Sequence, residues 1–74
     1  MSKFYYIKGI QFAVDGDNAQ IQVGNNWGNR IETTIEKARE IWKAIRKGEI
    51  ECHDRGLDTF ITVNQIRDRL EAMK

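Results

Sequence analysis

Alternation of apolar and polar residues in the first third of the chain is the feature that most restricts its fold. From Phe4 to Val14, apolar side chains occupy the even positions, with Lys8 as the one interruption. A second run, residues 19–23, alternates aliphatic residues with glutamines. A period of two places such side chains on one face of a strand. The sequence therefore predicts two β-strands, each with one buried face.

The four residues between these runs, Asp-Gly-Asp-Asn at 15–18, are typical of a tight turn. A turn centred on residues 16 and 17 would place Phe12 opposite Ile21 and Ile10 opposite Val23. A turn centred on residues 15 and 16 would shift the register by two. Both registers keep the same side chains inward, so a β-hairpin is predicted in either case.

Two helices are predicted to cover this hairpin, because a two-stranded sheet is marginally stable alone. Thr33 and Glu36 have the spacing of a capping box, and Gly48 suits a helix C-terminus. Thr62 followed by Gln65 predicts the start of the second helix. The expected apolar stripes are Ile35, Ala38, Ile41, Trp42 and Ile45 in the first helix, and Val63, Ile66, Leu70 and Met73 in the second.

The resulting prediction is one small α+β domain over residues 1–74. An antiparallel hairpin is packed on one face by two helices, in the order β-β-α-(β)-α. The bracketed strand is a third, short one over residues 49–53, where Ile50 and Cys52 alternate with polar residues. The predicted core comprises Phe4, Tyr6, Ile10, Phe12, Ile21, Val23, Ile35, Ala38, Trp42, Ile45, Ile66 and Leu70.

Composition excludes several classes of protein. The 74 residues carry 12 basic and 11 acidic side chains, and hydrophobic residues make up 41%. No apolar run approaches the roughly 20 residues of a membrane span, and no secretory signal is visible at the start. One cysteine cannot form an internal disulfide, so a cytoplasmic location without membrane contact is expected.

Motifs that resemble catalytic or metal sites are incomplete. Glu51-Cys52-His53-Asp54 combines suitable residue types, but neighbours on a strand point to opposite faces, and no second cysteine or histidine exists. Residues 15–18 lack the later ligands of a calcium loop, and Gly24 and Gly28 match no phosphate-binding fingerprint. The only serine is Ser2. We therefore expect no enzyme, no metal and no cofactor.

Trp27 is the most unusual residue, since it lies in a polar loop bounded by glycines. It could fold back over a small core, or it could be an anchor for a partner, because tryptophan is enriched at interface hot spots. Tyr5 and Ile7, at odd positions of the first strand, would lie on the outer face and could extend this patch. Such a patch could bind another protein or a second copy of the chain.

Basic residues concentrate in the middle of the chain. Residues 30–48 carry six basic and three acidic side chains, although the formal net charge of the chain is only +1. These could form a solvated helix face with local ion pairs, or a phosphate-binding patch. The candidates for nucleic-acid contact are Arg30, Arg39, Lys43, Arg46 and Lys47.

The preferred hypothesis from sequence is a small, non-enzymatic, intracellular protein-binding module of the adaptor or inhibitor type, acting on another protein or as a homodimer. The alternative is a nucleic-acid-binding module that uses the basic face of the first helix. The two differ in salt dependence, because phosphate contacts weaken steeply as salt rises.

Overall fold

The computed structural model describes residues 3–24, 30–53 and 58–73. Its elements are β1 (Lys3–Ile7), β2 (Ile10–Asp15), β3 (Asn18–Val23), β4 (Arg30–Thr34), α1 (Ile35–Arg46) and α2 (Thr59–Ala72). The described strands form one antiparallel sheet in the order β1-β2-β3-β4, which confirms the α+β class. The sheet has more strands than the predicted two or three.

The hairpin of β2 and β3 has the first of the two predicted registers. Phe12 lies opposite Ile21, and Ile10 lies opposite Val23. Asp15 and Asn18 form the last pair, so the turn is centred on residues 16 and 17. Side chains of Ile10, Phe12, Ile21 and Val23 are buried on the face that the helices cover.

The prediction of one continuous strand from Phe4 to Val14 is wrong. A two-residue turn at Lys8 and Gly9 divides it, and both residues have positive φ, at 48° and 80°. This is the pattern of a type I′ hairpin turn, whose twist matches that of the flanking strands. Ile7 pairs with Ile10 across the turn, which reverses the parity of the first strand relative to the second.

Because of this reversal, Phe4 and Tyr6 do not belong to the core. Their side chains are 55% and 68% exposed, on the face away from the helices. The odd positions, Tyr5 and Ile7, are on the helix side, and Ile7 packs against the core. The expectation that Tyr5 and Ile7 lie on the outer face is therefore wrong.

A fourth strand, β4, occupies residues assigned to a loop and a helix start in the sequence prediction. Ile31 of β4 lies opposite Ile21 and is buried. Thr33 is inside β4, and the N-cap of α1 is Thr34, whose Oγ1 accepts a hydrogen bond from Lys37 N at 3.4 Å. The N-cap is thus one residue later than predicted, and Lys37 stands where a capping box needs glutamate or glutamine.

The C-terminus of α1 is as predicted. Gly48 has φ +77°, and its N–H donates to Ile45 O at 3.1 Å. Glu49 N–H donates to Ala44 O at 2.9 Å. This pair of bonds is the Schellman motif, in which a left-handed residue satisfies the last carbonyls of a helix.

The predicted strand over residues 49–53 and the predicted cap at Thr62 are both wrong, for one reason. Thr62 lies inside α2, fully buried, and its Oγ1 donates to Glu51 O at 2.6 Å and accepts from His53 N at 2.7 Å. Gln65 Oε1 accepts from Glu51 N at 2.8 Å. Side chains of α2, rather than a neighbouring strand, satisfy the backbone of this connector.

The core lies between the sheet and the two helices. Of the predicted core, Trp42 and Leu70 are only partly buried and Ile35 is half-buried. The core also contains buried residues of β3, β4, α1, α2 and the connector at residues 49–53 that the predicted core lacks. They are Ala19, Ile31, Ile41, Ala44, Ile50 and Val63. In the part of the chain that the structure describes, no helix is both long and apolar enough to cross a bilayer.

Candidate functional site

The free edge of the sheet at β1 is the first candidate surface. Three consecutive aromatic residues, Phe4, Tyr5 and Tyr6, are each about half exposed or more, with Tyr5 at 47%. Ile7 closes a two-residue turn with Ile10, and the residues flanking such a turn are hydrogen-bonded to each other. Because bonded and non-bonded pairs alternate along an antiparallel ladder, the backbone groups of Phe4 and Tyr6 point away from β2. They are open to a further strand.

A groove runs beside this edge on the helix side. Trp42 contacts Phe12 edge to face, with ring centroids 5.1 Å apart, and its ring lies 6.3 Å from that of Tyr5. α1 packs mainly over β3 and β4, so the inner side of β1 is covered only in part, by Trp42 at Tyr5 and by the core at Ile7. The space has a volume of about 210 Å³, and its lining is apolar except for one guanidinium: Tyr5, Phe12, Val14, Ile35, Ala38, Arg39 and Trp42.

Among the described residues that line this groove, Arg39 is the one that carries a charge. It lies on the exposed side of α1, between the buried stripe and solvent. Its guanidinium has no ion-pair or hydrogen-bond partner in residues 3–24, 30–53 and 58–73. The groove therefore combines an apolar wall with a cation that is free to bind an acidic group.

The outer face of the sheet is open and mostly polar. Register aligns Tyr6 with Gln11, Gln22 and Arg30 in one row across the four strands. The next row runs from Phe4 through Ala13 and Gln20 to Glu32. Ala13 is shorter than its neighbours, so a hollow of about 240 Å³ forms above it, with Phe4 on one side. The face thus carries two aromatic rings at one edge and amides in its middle.

Among the described residues, the fold does not place those predicted for protein binding on the outer face of the sheet, where they were expected. Tyr5 lines the groove, whereas Ile7 packs against the core at the end of β1. Trp27 lies outside the described residues, so its role as anchor or core cap stays a prediction. The aromatic residues that the structure exposes most strongly, Phe4 and Tyr6, had been assigned to the core. A turn at Lys8 and Gly9 reverses the parity of β1, so interpreting this dipeptide as a turn would have predicted that Phe4 and Tyr6 are exposed.

The residues predicted for nucleic-acid binding do not form one surface. Arg30 lies on β4 at the outer sheet face, whereas Arg39, Lys43, Arg46 and Lys47 lie on the exposed side of α1. Lys43 Nζ is 3.5 Å from Glu40 Oε1. The exposed aromatic residues of the described chain are on β1 and α2, so none is interleaved with the basic residues of α1.

Cys52 and His53 do not form a nucleophile and base pair. Cys52 Sγ donates to Ile50 O at 3.4 Å, whereas His53 Nε2 lies 3.5 Å from Glu51 Oε2. Desolvation by burial raises the pKa of the Cys52 thiol, and the charge of Lys8 opposes this shift. Among the described residues, which exclude Asp54, no three acidic, histidine or cysteine side chains converge in a way that could hold a metal ion.

Comparison with known proteins gives this chain no family. No family model matches it, and the searches of curated proteins and of solved structures found no match either. The candidate site therefore rests on the geometry described above.

Proposed function

We propose that this chain is a non-enzymatic protein-binding module that holds an extended segment of another protein as an added strand beside β1. The observation that carries the proposal is the free edge at Phe4 and Tyr6. The backbone groups of these two residues point away from β2, and their aromatic side chains are exposed. Strand addition obtains affinity from backbone hydrogen bonds and specificity from pockets for alternate side chains. The outward backbone groups would supply the hydrogen bonds, and the groove at Tyr5 and Trp42, which adjoins this edge, would supply such a pocket.

Within the described residues, this edge carries little of the usual protection, which supports the proposal. Sheet proteins normally guard an edge strand with proline, inward-pointing charge, a bulge or a covering element. The five residues of β1 contain one charge, Lys3, at their start, and β1 pairs with β2 in unbroken register. An aromatic edge left open in this way is expected either to bind a partner or to aggregate.

The charge of the open face favours protein over nucleic acid as the partner. The charged side chains of the outer face are Arg30, Glu32 and Asp15, a mixture that would not attract phosphates. The basic side of α1 lacks stacking aromatics and includes the Glu40–Lys43 pair. The non-enzymatic character and a cytoplasmic location remain part of the proposal. The position of the partly buried Cys52, whose thiol donates to a carbonyl rather than to a base, supports the former.

The test compares capture of host proteins by the immobilised full chain and by variants, after nuclease treatment of the lysate. Phe4→Lys and Tyr6→Lys each place a charge at the β1 edge, and neither substitution replaces a buried residue. Phe60→Lys is the matched control, since Phe60 is an aromatic residue of α2 that is 48% exposed. We expect both edge variants to lose the same bound protein, and the control to retain it.

A captured protein that binds parent, edge variants and control equally would overturn strand addition at β1. Amide hydrogen exchange adds a direct measurement. Slower exchange at Phe4 and Tyr6 in the complex supports an added strand, because their N–H groups would then be hydrogen-bonded. Unchanged exchange at both positions contradicts it. Binding that disappears with nuclease treatment would identify the nucleic-acid alternative instead.

A further inference from the structure

We infer that the segment bound at β1 is acidic, with one apolar side chain seated in the groove beside Trp42 and a carboxylate paired with Arg39. This inference rests on the proposed function and names the partner's chemistry. Its evidence is independent of the exposed edge: the lining of the groove, the unpaired guanidinium, and the charges at both ends of β1.

Strand geometry determines which side chain of the partner enters the groove. In an added strand, the residue directly opposite Tyr5 points to the same side of the sheet as Tyr5. That side is occupied by the groove, whose other walls are Phe12 and Trp42. An aliphatic side chain in this place would cover the exposed part of both rings. The groove therefore selects an apolar residue at one position of the segment.

Electrostatics determines the residues on either side of that position. Partner residues two places before and after it point to the same face, opposite Lys3 and Ile7, and Lys8 follows Ile7 directly. With Arg39 in the groove lining, each charge of β1, its turn and the groove is positive. Acidic residues two places from the apolar one would meet cations on either side.

The same charges argue against a second copy of this chain as the occupant. An antiparallel pair of β1 strands centred on Tyr5 would place Lys3 of one copy opposite Ile7 of the other, beside its Lys8. Like charges at both ends of the pair disfavour this register. An acidic segment turns the same two positions into attractive contacts.

The probe is a capped peptide, acetyl-Thr-Glu-Thr-Leu-Thr-Glu-Thr-amide, titrated into the isotope-labelled full chain and followed by NMR. Its pattern is symmetric, so either strand direction places leucine at Tyr5 and glutamates on the same face. We expect shifts at the amides of Phe4 and Tyr6 and at the indole of Trp42. Replacing the leucine by alanine should weaken binding about tenfold, because most of the buried aliphatic area is lost.

Charge variants separate the acidic segment from any other strand. Arg39→Gln should weaken binding of the glutamate peptide by about two- to fivefold, the range of a partly exposed ion pair. Arg67→Gln, an exposed arginine of α2 that lies toward the β4 edge of the sheet, is the matched control and should change nothing. A peptide with lysine in place of both glutamates should bind the parent chain more weakly than the glutamate peptide binds the Arg39→Gln variant.

Three outcomes overturn the inference. Equal binding of the lysine and glutamate peptides removes the acidic requirement, while strand addition at β1 stands. Shifts at β1 that grow with protein concentration alone identify a second copy as the occupant. No shift at β1 with any peptide removes the segment we describe. The proposed function fails only if the Phe4→Lys and Tyr6→Lys variants also capture the same host protein as the parent does.

Discussion

Single side chains of α2 bind the backbone and side chains of the connector at residues 49–53. Thr62 is the clearest case, since one hydroxyl serves both Glu51 O and His53 N. Gln65 satisfies Glu51 N, and Arg69 Nη2 lies 3.0 Å from Glu49 Oε1. Three side chains along α2 thus hold the connector at residues 49–53, which was expected to be a third strand of the sheet.

Thr62→Val should lower the free energy of unfolding by about 1 to 2 kcal/mol, because it removes a buried hydroxyl while leaving its two backbone partners unpaired. Valine has the same shape, so packing is retained. Urea denaturation measures the loss. Amide exchange at His53 identifies its cause: exchange should accelerate in Thr62→Val but not in Thr62→Ser, which keeps the hydroxyl. Equal exchange in both variants would contradict this role for Thr62.

At the scale of elements, what could be predicted from sequence depended on how local the determining interaction is. The turn between β2 and β3 and the glycine end of α1 depend on neighbours in sequence, and both were predicted. The connector at residues 49–53 has the alternation of a strand, but its partners are side chains of α2, which local periodicity cannot reveal. The β1 edge could not be predicted from alternation alone, because a single strand through Lys8 and Gly9 gives Phe4 and Tyr6 the same parity as Ile10, whereas the turn reverses it.

The C-terminus of α1 offers a test of an element boundary. Gly48 has φ +77°, and a β-carbon placed on it would meet no atom within 4 Å. Gly48→Ala should therefore destabilise the domain by about 1 kcal/mol for conformational reasons alone. Gly48→Asn should cost less, since asparagine tolerates this region. Urea midpoints of both variants measure the difference, and an alanine variant as stable as the parent would contradict the Schellman assignment.

At the scale of the whole molecule, the sheet has one side that the helices cover and one side that is open among the described residues. The helices and the core occupy one face, and the polar face is left to solvent. The candidate site lies at β1, where these sides meet, because α1 packs mainly over β3 and β4 and reaches β1 only through Trp42. Its groove could not be read from sequence, since it depends on which strands α1 covers. Arg39 was predicted from sequence as a binding residue, but for nucleic acid rather than for an acidic segment of a protein.

Global stability should decline more steeply at high pH in the parent than in Cys52→Ala. Burial raises the pKa of the Cys52 thiol above its ordinary value of 9.0, so the folded state holds this proton more tightly than the unfolded state does. The resulting stabilisation is complete below the unfolded pKa and is lost as pH rises through the folded one. Urea denaturation at pH 8 and at pH 10 gives the slope for both proteins, and identical slopes would contradict the shift.

The spatial order of the strands is also their order along the chain, which has a consequence for how the domain forms. Each strand pairs with its immediate predecessor, so every pairing closes a short stretch of chain and costs little loop entropy. Low contact order is associated with fast folding. Fast pairing of β1 with β2 would shorten the time that the aromatic residues of β1 spend in an unpaired, aggregation-prone chain.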